Sequence, residues 1–411
     1  MSFVSHVECT ICGARHDPKR VLTTCEPCGQ MLAVRYDLPR VAASLTKEML
    51  LGRPPGMYRF RELTPLDDGE EPVTLGEGGT PLLPLRRLAA HFGLRHVWGK
   101  DEGRNPTDSF KARGLGMAIT RARTLGARGF MIPSAGNAGG AAAVYGARAG
   151  LPVAVIVPRG TPVAAVAEAL IAGAHVFTIE GSIATAGKVV GRVAPQIGWF
   201  DLSTLKEPYR LEGKKTMGLE LAEQLEWSMP DVLLYPTGGG TGLVGIPKGY
   251  EELRGMGWLS GPLPRVYAVQ AEGCAPVVKA FAEGADTTAP WENPTTHASG
   301  LRVPSPFAGR QMLRILRETG GGAFALSERA IMDAQRLLAR LEGIWTAPEG
   351  AALVAALGML KDAGGLTRDA RVVLVLTGTG IKYDAPPLAA ATDLAGSDDE
   401  IAAQVKRALG V

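Results

Sequence analysis

The sequence predicts an α/β protein with two parallel-sheet units and a small cysteine-bearing module ahead of them. Three observations carry that prediction. Short apolar runs alternate with helical stretches from about residue 128 onward, the alternation resumes beyond residue 210, and two Cys-x-x-Cys pairs fall in the first 28 residues. Strands that are apolar on both faces and separated by helices belong to parallel sheets covered on both sides. At 411 residues the chain also exceeds what one core ordinarily serves.

Taken in order, the first module is built on "CTICG" and "CEPCG", which supply Cys9, Cys12, Cys25 and Cys28. Two such pairs, each second Cys followed by Gly, have the spacing of a knuckle in which four thiolates close on a tetrahedral zinc. The other readings are two disulfides, disfavoured in a reducing compartment, or free thiols. Four filled positions leave none for water, so the metal would be structural. Cys274 stands alone and reads as a buried thiol. "VRYDLPR" and "LGRPPGMYRFRELTP" then read as an extended connection punctuated by proline.

In the first rhythm "GFMIP", "LPVAVIVP" and "AHVFTIE" are strands. Between and after them come the helices "NAGGAAAVYGARAG", "TPVAAVAEALIAG" and "SIATAGKVVGRVA". In the second, "RLEGKKTMGLELAEQL" is a helix, "DVLLYP" a strand, "TGLVGIPKGYEEL" a helix, and "RVYAVQ" and "RVVLVLT" strands. The stretch 284–310 is too long and polar for a simple connector and reads either as a flexible surface excursion or, the reading preferred, as a loop that shapes a site. One terminal helix follows, with Ser397 and Asp398 at its start.

Composition narrows the function classes. Hydrophobic residues at 46%, charged residues at 21% and a formal net charge of +3 give no electrostatic footprint for nucleic acid or membrane. The first residues lack an apolar segment behind a basic start, and no run approaches eighteen apolar residues, so a cytoplasmic location is expected.

The chemistry-bearing stretches lie where strands end. "YPTGGGTGLVG" follows a strand and opens a helix, so its glycines let backbone amides approach an anion. It also contains the dinucleotide-type spacing Gly240, Gly242, Gly245, with Glu272 beyond the next strand, so a dinucleotide site is an alternative. Asn137 in "PSAGNAGG" begins a helix, where it either caps the first amides or aims its own amide at a ligand. Thr377 and Thr379 sit at a third strand end. Lys111, in "NPTDSFKARG", falls at a helix start, where the macrodipole disfavours positive charge. A neutral or covalently occupied amine removes that conflict, and a lysine bonded to an aldehyde is the resting state of pyridoxal phosphate enzymes.

Read together and in order, "LGEGGTPL", "NPTDSFKARG", "SAGNAGG", "PTGGGTG" and "LTGTGIK" resemble the fold type II pyridoxal phosphate enzymes, the tryptophan synthase β-subunit class. "LGEGGTP", "PYRLEGKKT", "TGTGIK" and the cysteine knuckle resemble the threonine synthase family most. The resemblance implies that Lys111 bonds the cofactor and moves protons, and that Asn137 binds its ring oxygen. It implies that Gly238, Gly239, Gly240 and Thr241 hold its phosphate, that Phe110 positions its ring and that Thr377 faces its pyridine nitrogen. Ser134, Ala135 and Gly136 would hold the substrate carboxylate. Arg210, with Lys206, Ser203 or Thr204 beside it, would clamp the phosphate of O-phosphohomoserine.

The implied fold is two αβα domains with an N-terminal zinc knuckle, divided as 1–36, 37–103 with 206–411, and 104–205. The implied assembly is a homodimer and the implied reaction gives threonine and phosphate. Three features depart from the family pattern: Asp108 stands for glycine, "GGGTG" replaces a glycine-asparagine loop, and in the terminal motif Thr379 and Tyr383 replace His and Asp. These keep two alternatives open: a serine/threonine dehydratase or other β-eliminating or β-replacing lyase, and a non-catalytic protein that retains the fold.

Overall fold

The computed structural model describes residues 2–387 and 391–410. A six-stranded sheet runs Gly322–Leu326, Arg265–Ala271, Val232–Pro236, Arg371–Leu376, His96–Asp101, Leu82–Pro84. All its pairings are parallel except the last, where Leu82–Pro84 runs antiparallel. A four-stranded parallel sheet runs His175–Ile179, Val153–Pro158, Phe130–Pro133, Phe200–Asp201. The expected α/β architecture with two parallel sheets is therefore present.

The inner strands of both sheets are buried on two faces, as their apolar runs require, while the edge strand His175–Ile179 is largely exposed, Phe177 included. Leu233, Tyr235, Val373 and Val375 point into one core, and their neighbours Val232, Leu234, Val372 and Leu374 into another. In the smaller sheet Phe130 and Ile132 face one cluster while Met131 faces the opposite one. This is the period-2 alternation of a strand with both faces covered.

The cysteine module forms a three-stranded antiparallel sheet, Arg15–His16, Val4–Cys9, Leu32–Tyr36. The segment after it differs from the extended connection expected. "VRYDLPR" finishes the strand Leu32–Tyr36 and opens the helix Leu38–Ser44, capped by the Asp37 carboxylate with Pro in its first turn. The helix Lys47–Leu51 and a 3₁₀ segment Met57–Leu63 follow. Proline punctuated a helix start here rather than breaking structure.

Helices Tyr209–Gln224 and Thr241–Gly255 cross very closely. A Cβ on Gly218 would lie 2.6 Å from the Ile246 carbonyl oxygen, and one on Gly249 2.7 Å from that of Lys215. Gly245 meets the Lys215 backbone, and Gly242 packs on the Tyr235 ring. The last two glycines of the dinucleotide-type spacing thus serve packing, which removes the physical basis of that alternative. Beneath the crossing, Lys215 and Lys248 are enclosed with Glu212 and Glu252. Tyr36 of the cysteine module donates to Glu212 at 2.7 Å, fastening the module to this pair.

Candidate active site

Three strand ends and the 284–310 loop surround one cavity between the two sheets. The strand Phe130–Pro133 delivers Ser134, Ala135, Gly136 and Asn137 to its wall, and Val232–Pro236 delivers Gly238, Gly239, Gly240 and Thr241. Arg371–Leu376 delivers Thr377, and the turn before Lys111–Thr124 delivers Phe110 and Lys111. The loop adds Ser299, Gly300, Arg302 and Val303, as its reading as a site-shaping segment requires.

Lys111 is the first residue of its helix, and backbone ties fix its position. Phe110 N–H donates to the Thr377 carbonyl at 2.9 Å, and Thr379 N–H to the Asp108 carbonyl at 3.1 Å. The Lys111 Nζ lies 4.3 Å from the Phe110 ring centre. Burial pulls its pKa down to about 7, the Arg210 charge adds to this, and Glu349 opposes it. The amine is thus poised to be neutral near physiological pH, as a nucleophilic lysine must be. Lys214, fully buried, donates to the Phe110 carbonyl and lies 4.4 Å from the same ring.

The 238–241 segment fits the phosphate of the cofactor that the sequence resemblance implies. Gly240 caps Thr241–Gly255 at φ +77°, a left-handed conformation natural to glycine. A Cβ would fall 2.1 Å from the Gly300 oxygen at Gly238 and 2.6 Å from Thr204 Cγ2 at Gly239. Only bare backbone fits there, and it presents helix-start amides to the cavity.

Asn137 is not a cap. Gly136 holds the cap position without a side-chain bond, and Asn137 Nδ2 instead donates to the Tyr383 hydroxyl at 3.2 Å. The capping role belongs to Ser134, whose Oγ accepts from Gly139 N–H at 2.8 Å while still facing the cavity. Tyr383 in turn donates to Glu349 Oε1 at 3.0 Å. Glu349 and Arg302 were not singled out in the sequence, and Tyr383 stood out only as a departure from the family pattern. Arg302 is half-buried in the wall, and its guanidinium makes no hydrogen bond or ion pair among the described residues.

Arg210, expected to clamp a substrate phosphate, is not brought into the wall. It is fully buried behind Thr204, donating through Nη1 to the Leu202 carbonyl at 2.6 Å and to Thr204 Oγ1 at 3.2 Å. Its Nε and Nη2 have no partner among the described residues. Beneath it, burial pushes the Glu207 carboxyl up to about 7, opposed by Arg210. "LGEGGTP" also lies outside the cavity wall. Its Gly78 and Gly79 amides bind Asn105 and Glu220, beside the buried Arg113–Glu102–Glu220–Lys100 cluster.

Far from the cavity, the thiols of Cys9, Cys12, Cys25 and Cys28 lie within 4.8 Å of one another. That clustering matches one tetrahedral thiolate site. Cys274 is buried, and burial pushes its thiol up to about 11.

Residues 73–378 match the family model described as pyridoxal-phosphate dependent enzyme. Threonine synthase of Methanosarcina acetivorans is 39% identical over 378 residues, covering 92% of each chain. That of Methanocaldococcus jannaschii is 36% identical over 375 residues, 91% of this chain and 92% of the relative. This chain belongs to the threonine synthase family of pyridoxal-phosphate dependent enzymes. Among solved structures, a threonine deaminase from T.th. superposes with a TM-score of 0.62 at 27% identity, covering 75% of this chain and 94% of that one. Maize serine racemase shares the fold at a TM-score of 0.64 and 21% identity, covering 80% and 92%. Lys111, the glycine run 238–240 and the strand-end Asn137 share one cavity.

Proposed function

We propose that this chain is a threonine synthase that carries pyridoxal phosphate on Lys111 and converts O-phosphohomoserine and water to threonine and phosphate. The reaction is γ-elimination followed by β-addition of water. The observation that carries this reading is a lysine amine lowered to about 7 in the same cavity as a glycine-lined helix start. The bound cofactor supplies an electron sink joined to the substrate's amino nitrogen.

The chain's own residues do the rest. The amine of Lys111 takes and returns protons at Cα and beyond. Asn137 has two amide hydrogens, one committed to Tyr383 and one left for the cofactor's ring oxygen. Gly238, Gly239, Gly240 and Thr241 hold the phosphate of the cofactor, Phe110 positions its ring, and Thr377 offers a neutral hydroxyl to its pyridine nitrogen. Helix-start amides at Ala135 and Gly136, with Ser134, hold the substrate carboxylate. Thr204, backed by the Arg210 charge, and the unpaired Arg302 meet the substrate's phosphate.

Four cysteines hold a structural zinc, the chain works as a cytoplasmic homodimer, and residues 104–205 form a unit distinct from 37–103 with 206–411. Among the described residues no helix is long and apolar enough to cross a membrane. The decisive experiment is a substrate screen: phosphate and threonine released from O-phosphohomoserine support the reading. Ammonia from threonine or serine without phosphate release would move it to the dehydratases. The purified protein should show a visible absorbance band that Lys111→Ala removes, and metal analysis of reduced protein should return one zinc per chain.

A further inference from the structure

Among the described residues, Glu349 is the one carboxylate in the cavity wall. It sits in the first turn of the helix Pro348–Asp362 and is 5% exposed. Its two oxygens differ. Oε1 accepts from Gly300 N–H at 2.6 Å and from the Tyr383 hydroxyl at 3.0 Å. Oε2 is buried and has no partner among the described residues. A buried carboxylate oxygen without a donor is costly, so it is retained where something at the site uses it. Gly300 and Tyr383 bond Glu349, the Lys111 charge acts on it, and Lys111, Tyr383 and Arg302 line the same wall.

From this geometry we propose that Glu349 is a second proton-transfer residue, with Oε2 as its working atom and the Tyr383 hydroxyl and Gly300 amide clamping Oε1. The inference rests on the threonine synthase reading. That reaction removes protons from Cα and Cβ, delivers them to Cγ and Cα, and splits one water. One amine cannot both take the proton of the attacking water and deliver one to Cα at the same moment. With Glu349 the balance closes. As the water oxygen bonds Cβ, its proton goes to Oε2, and Cα takes a proton from the Lys111 ammonium. The carboxylic acid of Glu349 then returns its proton to the Lys111 amine, restoring the starting pair. Burial pushes the Glu349 carboxyl up, opposed by the bonds to it and by Lys111, while burial pulls Lys111 down. Both shifts bring the two groups closer in proton affinity.

The test is Glu349→Gln, which keeps an oxygen for Tyr383 and Gly300 but cannot take a proton. Two readouts are needed. With O-phosphohomoserine, wild type forms one threonine per phosphate released. In E349Q that ratio should fall at least about tenfold, the low side of general acid–base contributions, with 2-oxobutanoate and ammonia making up the difference. In the apoprotein, acetylation of Lys111 against pH, followed by mass spectrometry, should show a midpoint near pH 7 in wild type. It should be lower in E349Q, because the negative charge that favours the ammonium form is gone.

An unchanged product ratio in E349Q overturns the proposal. If wild type releases no phosphate, the threonine synthase reading fails, and the labelling midpoint alone then decides whether Glu349 and Lys111 share a proton. Should E349Q not fold, Glu349→Asp withdraws the carboxylate by one methylene and is read by the product ratio, which should fall in the same direction, since its charge is kept and the labelling midpoint no longer discriminates.

Discussion

Asp108, three residues before the lysine proposed to carry the chemistry, sits at φ +51°, next to Thr107 at φ +62°. The family pattern has glycine at this position, and the backbone explains why. Left-handed geometry costs an L-residue about 1–2 kcal/mol, and the Asp108 carbonyl is held in place by Thr379 N–H. Its carboxylate is exposed and has no part in the cavity wall. Glycine there relieves the strain but adds about 0.4–1 kcal/mol of unfolded-state entropy. Asp108→Gly is therefore expected to stabilise the chain by about 0.5 kcal/mol, read as a raised urea midpoint with an unchanged denaturant slope. A lower midpoint would show that the carboxylate contributes more than the turn costs.

At the scale of elements, the glycines of the two crossing helices set how near the lysine and the phosphate cradle come, because Gly114 of the Lys111 helix meets Lys214 and Arg210 of the same pair. Gly218→Ala places a methyl 2.6 Å from backbone, and backbone cannot rotate aside. Destabilisation of about 1–3 kcal/mol is expected, measured by urea unfolding, with a slower uptake of cofactor if the cradle shifts as well. Elements of this kind were legible where the pattern was pure: "DVLLYP" and "RVVLVLT" are unbroken apolar runs and are strands. The strand His96–Asp101 was not, because "HVWGKD" ends in charges, and Lys100 is buried through its bonds to Glu220, 120 residues away, to Gln224 and to the Thr80 carbonyl. For the same reason Lys111, Asn137 and the glycine run could be read from local signals, whereas Glu349 could not. It is one acid at the start of an alanine-rich helix, and its meaning comes from Gly300 and Tyr383, 49 and 34 residues distant. By the same limit the sequence placed Arg210 near the site without showing that Thr204 stands between it and the cavity.

Across the whole molecule, Lys382 is one of the side chains that reach from one sheet unit to the other. From the 3₁₀ turn Gly380–Lys382 its Nζ donates to Glu168 on the helix Val163–Ile171 at 2.8 Å and to the Thr107 carbonyl at 2.8 Å. Both side chains are largely enclosed, at 13% and 16% exposure, so the pair is screened little by solvent. Lys382→Ala leaves Glu168 enclosed beside Asp108, and a cost of about 2 kcal/mol follows from losing a charge-assisted bond of this type. The pH dependence has a definite sign. Burial pushes the Glu168 carboxyl up in the folded chain, while Lys382 holds it down. Removing Lys382 raises it further, so the folded variant binds more protons than the unfolded chain over a wider window above the ordinary carboxylate range and loses stability as pH rises through it. The stability gap between wild type and variant should therefore be larger at about pH 7 than near pH 5, measured as the difference in urea midpoints. Hydrogen exchange should also speed up around residues 160–164, which line the mouth of the cleft facing Lys382. A gap that stays constant across that range would mean that Lys382 acts through its bond to Thr107 alone, and that closure of the two units does not depend on the ion pair.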